Sequence, residues 1–207
     1  MAISITYSVS LSEFDKVIPM PNLYIIGGAN GSGKTTVALS LLPNFLDCFE
    51  YVNADAIAAG LSQFNPESVV ILAGRLMIER LRNLSNSGTD FAFETTLAAR
   101  NFARFLRECK TKGYTINLIY FWLQSPELAI QRVQERVESG GHSIPEDVIR
   151  RRYDKGRKNL TSLYLPLCDT WKVYNNSMDT PQLIAKGRLH SQPIIYEIKI
   201  WNKIIED

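Results

Sequence analysis

Gly28-Ala29-Asn30-Gly31-Ser32-Gly33-Lys34-Thr35 is the stretch that decides the fold of this chain. It fits Gly-x-x-x-x-Gly-Lys-Ser/Thr, the Walker A loop that wraps the phosphates of a bound nucleotide. Glycines open dihedrals closed to other residues and bring backbone N–H groups up to phosphate oxygens. In such a loop Lys34 reaches the β- and γ-phosphates, the hydroxyl of Thr35 sits on Mg²⁺, and Gly28 to Thr36 form the cradle. From residue frequencies, a chance match in a chain this long is on the order of one in a hundred. The flanks agree with the motif. Leu23-Tyr24-Ile25-Ile26 is a short apolar run suited to a buried strand, and Thr36 to Leu42 suits the start of a helix. Strand, glycine loop and helix are the required setting.

Composition narrows the class further. A length of 207 residues predicts one domain: a core over 22–185, a basic lid region at about 138–158 and a C-terminal extension over 186–207. Hydrophobic residues at 45% and charged residues at 21% are ordinary for a globular protein in water. A net charge of +2 gives no global field of the kind that marks nucleic-acid or membrane binders. Cys48, Cys109 and Cys168 lie far apart without metal-ligand or redox spacing, so they read as reduced packing residues. Met1 to Asp15 has no basic segment followed by an apolar core, and no apolar run approaches the ~18 residues of a membrane helix. A cytoplasmic protein without a membrane partner is expected.

Along the chain, strand patterns fall at Leu23–Ile26, Tyr51–Asn53, Phe91–Phe93, Ile116–Leu123 and Trp171–Tyr174. Helical patterns fall at Pro66–Leu84, Leu97–Lys112, Pro126–Ser139 and Pro145–Leu163. Alternation of this kind predicts an α/β fold with a mostly parallel central sheet and helices on both faces. Ligands in such sheets bind beyond the carboxyl ends of the strands. Polar residues follow each strand there: Asn53-Ala54-Asp55, Glu94-Thr95-Thr96, Gln124-Ser125 and Asn175-Asn176-Ser177. The tail from Ile194 to Trp201 reads as a strand or a short helix.

Two carboxylates stand out. Asp55 at a strand end suits a general base that orients an attacking hydroxyl; its structural alternative is to cap the helix that follows. Glu94 either organises Mg²⁺ through water or accepts hydrogen bonds from an acceptor, while Thr95 or Thr96 caps the next helix. Arg75 on its apolar helix reads by spacing alone as a solvated side chain. Arg132 and Arg136 share one helix face, where two cations repel unless something anionic offsets them: Glu135 or a nucleotide's phosphates. Gly140-Gly141 ends that helix, and Ser143-x-x-Glu146 reads as a capping box for the next. His142 between them has no metal-ligand partners and reads as a residue that fixes the loop or contacts a phosphate. From Arg150 to Lys158 basic residues predominate, but no aromatic platform accompanies them, which argues for a phosphate-covering lid over a nucleic-acid site.

Together these blocks resemble the zeta-toxin family of P-loop kinases. The likeness runs through Gly28–Thr35, Asn53-Ala54-Asp55, Ala73-Gly74-Arg75, Phe93-Glu94-Thr95-Thr96-Leu97, Arg132-Val133, Arg136-Val137, Gly140-Gly141-His142 with Pro145-Glu146, Arg151-Arg152-Tyr153 and Val173 to Ser177. The resemblance implies a three-layer P-loop NTPase/kinase fold with a basic lid helix. It implies transfer of the γ-phosphate of ATP, with Mg²⁺, to a hydroxyl of a nucleotide-sugar, UDP-N-acetylglucosamine in the best-known toxins. By the same match Lys34 and Thr35 hold ATP and Mg²⁺, and Asp55 is the base. Asn53, Arg75, Glu94, Thr95 and Arg151 fall on the acceptor side; Arg136 and Arg152 act first on the transferring phosphate, with Arg132 on the nucleotide. An antitoxin is the protein partner it implies. The Gly-Gly-His-x-x-Pro lid belongs to a short branch of the family, and Asn175 stands where relatives often carry Asp. Two other readings compete: an ATP-binding switch with little transfer, and a polynucleotide kinase using the 150–158 basic run. The signature of an ABC-type ATPase, Leu-Ser-Gly-Gly-Gln, does not occur.

Overall fold

Strict alternation in Leu23-Tyr24-Ile25-Ile26 sends successive side chains to opposite faces of one strand, and both faces are covered. The computed structural model describes residues 20–141 and 143–206. In order they form β1 (Asn22–Gly28), α1 (Lys34–Phe45), β2 (Glu50–Val52), α2 (Ala54–Leu61), a 3₁₀ turn (Pro66–Val69) and α3 (Val70–Ser87). Then come β3 (Phe91–Thr95), α4 (Asn101–Thr111), β4 (Thr115–Trp122), α5 (Pro126–Glu138) and α6 (Glu146–Asn159). A π turn (Leu160–Tyr164) and a 3₁₀ turn (Leu165–Leu167) lead into β5 (Thr170–Asn175), β6 (Gln182–Arg188), β7 (Ile194–Ile195) and α7 (Ile198–Ile205).

The strands make one seven-stranded sheet in the order β2-β3-β1-β4-β5-β6-β7. Pairing is parallel from β2 through β5 and antiparallel for β6 and β7. Leu23, Ile25, Phe91 and Phe93 pack on one face with Met77 and Leu81 of α3 and Phe102 and Phe105 of α4. Ile26, Ala92 and Phe121 pack on the other with Ala38 and Leu42 of α1. A smaller cluster joins Ala29 of the glycine loop to Ala129, Ile130 and Val133 of α5 and Ile149 and Tyr153 of α6. The layered P-loop kinase fold expected from the sequence is therefore the fold observed.

Local differences have physical reasons. The helix expected from Leu97 begins at Asn101, because Leu97 is a buried residue at φ 60° in a loop. Its N–H donates to Thr95 Oγ1 at 3.1 Å, and its carbonyl accepts from Asn159 Nδ2 at 2.8 Å. Thr95 and Thr96 thus fasten that loop and do not cap α4. The Ser143-x-x-Glu146 box does not form: α6 starts at Glu146 itself, after an extended Pro145, so Ser143 lies too far outside to cap it. The helix expected to reach Leu163 loosens after Asn159 into the π turn. The tail splits into β7 and the start of α7, whose Trp201 stacks on Trp171 at 5.6 Å between ring centroids. β6, unassigned from sequence, is the antiparallel strand that Gly187 allows to lie against Trp171.

All three cysteines are free and buried. Burial pushes the thiols of Cys48 and Cys109 up to about 11 and that of Cys168 to about 12, so they are inert packing groups at neutral pH. Among the described residues, no helix is long and apolar enough to cross a membrane.

Helix α6 lies so close to the β3–α4 loop that a Cβ on Gly156 would stand 2.3 Å from the carbonyl oxygen of Thr96. Helix propensity alone would favour alanine there by about 1 kcal/mol. The clash involves backbone and outweighs it, so Gly156→Ala should lower stability by roughly 1–3 kcal/mol in urea unfolding.

Candidate active site

The site is built from the loop between β1 and α1. Gly33 holds φ 81° and faces Asn176, whose Nδ2 would meet an added Cβ at 2.6 Å. Only glycine fits both constraints. That asparagine donates to the carbonyl of Ser32 at 2.8 Å in a buried contact, fastening the loop to the turn after β5. Lys34 is buried and its Nζ donates to the carbonyl of Ala29 at 2.7 Å. Burial holds this ammonium below the usual lysine range, while the charges of Glu94 and Asp55 pull the other way. Asn30 Oδ1 and the Ser32 hydroxyl are buried without a hydrogen-bond partner among the described residues. A buried orphaned hydroxyl beside a lysine and a glycine cradle is what a phosphate group satisfies. The residues fit the phosphates of a nucleotide.

Glu94 stands one residue before the end of β3, beside the loop. Its Oε2 accepts from Thr35 Oγ1 at 2.7 Å, from the Tyr51 hydroxyl at 2.5 Å and from Asn53 Nδ2 at 3.0 Å. Its Oε1 lies 3.6 Å from Lys34 Nζ. Thr35 donates its hydroxyl proton here, so its oxygen lone pairs remain for a cation. The Thr35 hydroxyl, with Glu94 beside it, fits the binding of a divalent cation next to nucleotide phosphates, and these two residues would hold it. Asn53 caps α2, its Oδ1 accepting from the N–H groups of Asp55 (2.8 Å) and Ala56 (3.3 Å). The capping alternative for Asp55 is therefore corrected: Asn53 is the cap, and Asp55 sits in the first turn with its side chain exposed on a cavity wall.

That cavity, about 1030 Å³, opens from the loop. Asn30 and Lys34 line it at the loop end, with Asn53, Asp55, Glu94, Thr95 and Thr96 at the strand ends. Gly74, Arg75, Ile78, Arg82, Asn83 and Asn86 supply a wall along α3, Asn101 and Phe102 one from α4, and Arg152 one from α6. Arg75, which spacing alone left as a solvated residue, is thus on the cavity. Arg151 is exposed and off its wall, so the structure brings Arg152 and not Arg151 to this group.

Arg132 is committed elsewhere: its guanidinium donates to the carbonyls of Asn176 at 2.7 Å and Ser177 at 3.2 Å. Arg136 is half-buried, its charge is felt by Lys34, and Gly141 packs on its side chain and donates to its carbonyl at 2.9 Å. The basic run is divided around α6. Arg150 pairs with Glu127, Arg157 donates to the carbonyl end of α7, and Arg152 turns to the cavity. Tyr153 donates to the carbonyl of Leu123 at 2.6 Å and anchors the helix. Asn175, in place of an Asp, accepts from the N–H and hydroxyl of Ser177 and folds the turn. Thr36 is exposed on the first turn of α1, and His142 lies outside the described residues.

The sequence profile of the zeta toxin family matches residues 12–180. The chain belongs to the zeta toxin family. An uncharacterised protein of Haemophilus influenzae is 33% identical over 128 residues, which is 61% of this chain and 88% of that protein. Among solved structures, AvrRxo1-ORF1:ORF2 with ATP superposes with TM-score 0.74 at 17% identity, over 89% of this chain. This zeta toxin family member spans 63% of the AvrRxo1 chain's length. The PezAT toxin–antitoxin system of Streptococcus pneumoniae matches with TM-score 0.62 at 17% identity, over 94% of this chain and 82% of that one.

Tyr51 and Arg82 are site residues that sequence reasoning left out, and Asn176 is one it named only as a polar residue after a strand, without a role. Tyr51 was legible in principle, since it stands two before Asn53 and shares its strand face. Asn176 was not, because its partner is a loop 144 residues away. Removing its donor leaves the buried Ser32 carbonyl unpaired, at a cost of about 1–3 kcal/mol. Asn176→Ala should destabilise the fold in thermal unfolding and Asn176→Asp should do so at least as much, because neither donates to that carbonyl and the carboxylate adds a buried repelling charge.

Proposed function

We propose that this member of the family is an ATP-dependent kinase that transfers the γ-phosphate of Mg·ATP to a hydroxyl of a small acceptor, a nucleotide-sugar such as UDP-N-acetylglucosamine. The observation that carries this reading is the single cavity running from Lys34 past Asp55 and Glu94 to Arg75, Arg82 and Arg152. An ATP switch needs the phosphate loop but has no use for a second chamber beside it. The stretch of α3 from Ile71 to Asn86 that lines the cavity is roughly 22 Å long, enough for an extended acceptor. Arg75, Arg82 and Arg152 make no hydrogen bond or ion pair with the described residues, which suits an acceptor carrying phosphates. The division of the basic run around α6 weighs against a polynucleotide kinase.

In this reading the acceptor hydroxyl lies against Asp55, which orients it and takes its proton. Lys34 and the loop N–H groups hold the nucleotide's phosphates, and Thr35, aligned by Glu94, holds the cation. Mg²⁺ neutralises charge on the phosphates when bound. Arg152 and Arg136 face the charge that develops on the transferring group. ATP and nucleotide-sugars place the work in the cytoplasm. Both structural relatives described above are two-protein assemblies, and an antitoxin covering the phosphate loop is the corresponding partner here.

The test is transfer of labelled γ-phosphate from Mg·ATP to a panel of UDP-sugars, nucleosides and short RNAs. A labelled UDP-N-acetylhexosamine is the expected product; a labelled RNA or no product would overturn the acceptor assignment. Lys34→Ala should abolish transfer. Asp55→Asn should leave ATP affinity intact and cut transfer by about 10²-fold or more. Arg82→Ala should raise KM for the UDP-sugar by about tenfold while leaving KM for ATP unchanged, as steady-state kinetics would read.

A further inference from the structure

P-loop NTPases commonly present an aspartate to the cation shell. Here the carboxylate bonded to the loop threonine is Glu94, one methylene longer than an aspartate, with one more rotatable bond to be held still. Left to itself the carboxylate would swing between the loop and the cavity. Three donors on one oxygen prevent that. Thr35 is the functional one, and the other two come from the neighbouring strand. β2 runs parallel to β3 with Tyr51 opposite Ala92, two residues short of Glu94, so the Tyr51 ring reaches forward to Oε2 at 2.5 Å. Asn53, on the same face, closes from beyond at 3.0 Å and is itself fixed by capping α2. Tyr51 does not line the cavity. Among the described residues its hydroxyl donates to Glu94 Oε2 and lies 3.5 Å from Asn53 Nδ2, so it acts on the site through these two side chains.

We propose that Tyr51 is a positioning residue of the magnesium site: with Asn53 it pins Glu94 where the carboxylate accepts the proton of Thr35, turning the threonine's lone pairs to the cation. The inference rests on the kinase reading of the loop. It predicts a selective defect. Without the Tyr51 hydroxyl, Glu94 loses its shortest donor and Thr35 is free to rotate, yet the contacts for the nucleotide itself remain.

The experiment is titration of Mn²⁺ into the protein–ADP complex, followed by electron paramagnetic resonance, beside the ADP affinity measured without metal. Tyr51→Phe should weaken Mn²⁺ binding roughly three- to tenfold and leave metal-free ADP affinity unchanged. Tyr51→Met, a second variant without the hydroxyl, should do the same. In a Glu94→Gln background, Tyr51→Phe should add nothing, since it acts through that carboxylate. Mn²⁺ binding equal to wild type in Tyr51→Phe overturns the proposal, as does an equal loss of metal-free ADP affinity or an undiminished effect beside Glu94→Gln. If wild-type protein with ADP takes up no more Mn²⁺ than ADP alone, the phosphate-loop reading fails first and the inference falls with it.

Discussion

One carboxylate oxygen, Oε2 of Glu94, ties together three parts of the chain that are otherwise independent. Thr35 belongs to the loop helix, Tyr51 to β2 and Asn53 to the cap of α2, and each donates to it. The other oxygen faces Lys34. Such a node exists only because β2, β3 and β1 lie side by side and parallel, so their carboxyl ends meet at one edge of the sheet. A carboxylate only 11% exposed would be costly with fewer donors; with these it is stable and keeps the loop threonine aligned.

A second set of contacts fixes the loop from the opposite side. Asn176 fastens the carbonyl of Ser32, and Arg132 fastens the backbone of the turn that carries Asn176. Ala29 of the loop is buried in the cluster formed by α5 and α6. The arginines divide accordingly. Arg132, Arg150 and Arg157 are engaged by the protein's own carbonyls or carboxylate, whereas Arg75, Arg82 and Arg152 line the cavity.

Much of this was legible in the chain. The glycine loop, the parallel strands and the polar residues after each strand follow from local rules: backbone sterics, side-chain alternation and the geometry of parallel sheets. Arg75 and Arg152 needed more than spacing, because a helix wheel says which residues share a face but not what that face meets. The failures were of the same kind. Leu97 opened a helical pattern in the sequence, yet it is buried at φ 60°, its N–H held by Thr95 and its carbonyl by Asn159. Ser143 was read as a cap because its spacing to Glu146 is right, but the extended Pro145 moved the helix start.

By itself, then, the sequence determined the phosphate loop, the sheet class and the set of chemical groups at the strand ends, since each is encoded within a few neighbouring residues. The tertiary structure alone decided the partners. That Glu94 answers to Thr35 across 59 residues, that Asn176 braces Ser32 and that Arg152 rather than Arg151 reaches the cavity depend on strand order and helix docking. Those contacts form between residues distant in sequence, where no periodicity or motif spacing carries the information.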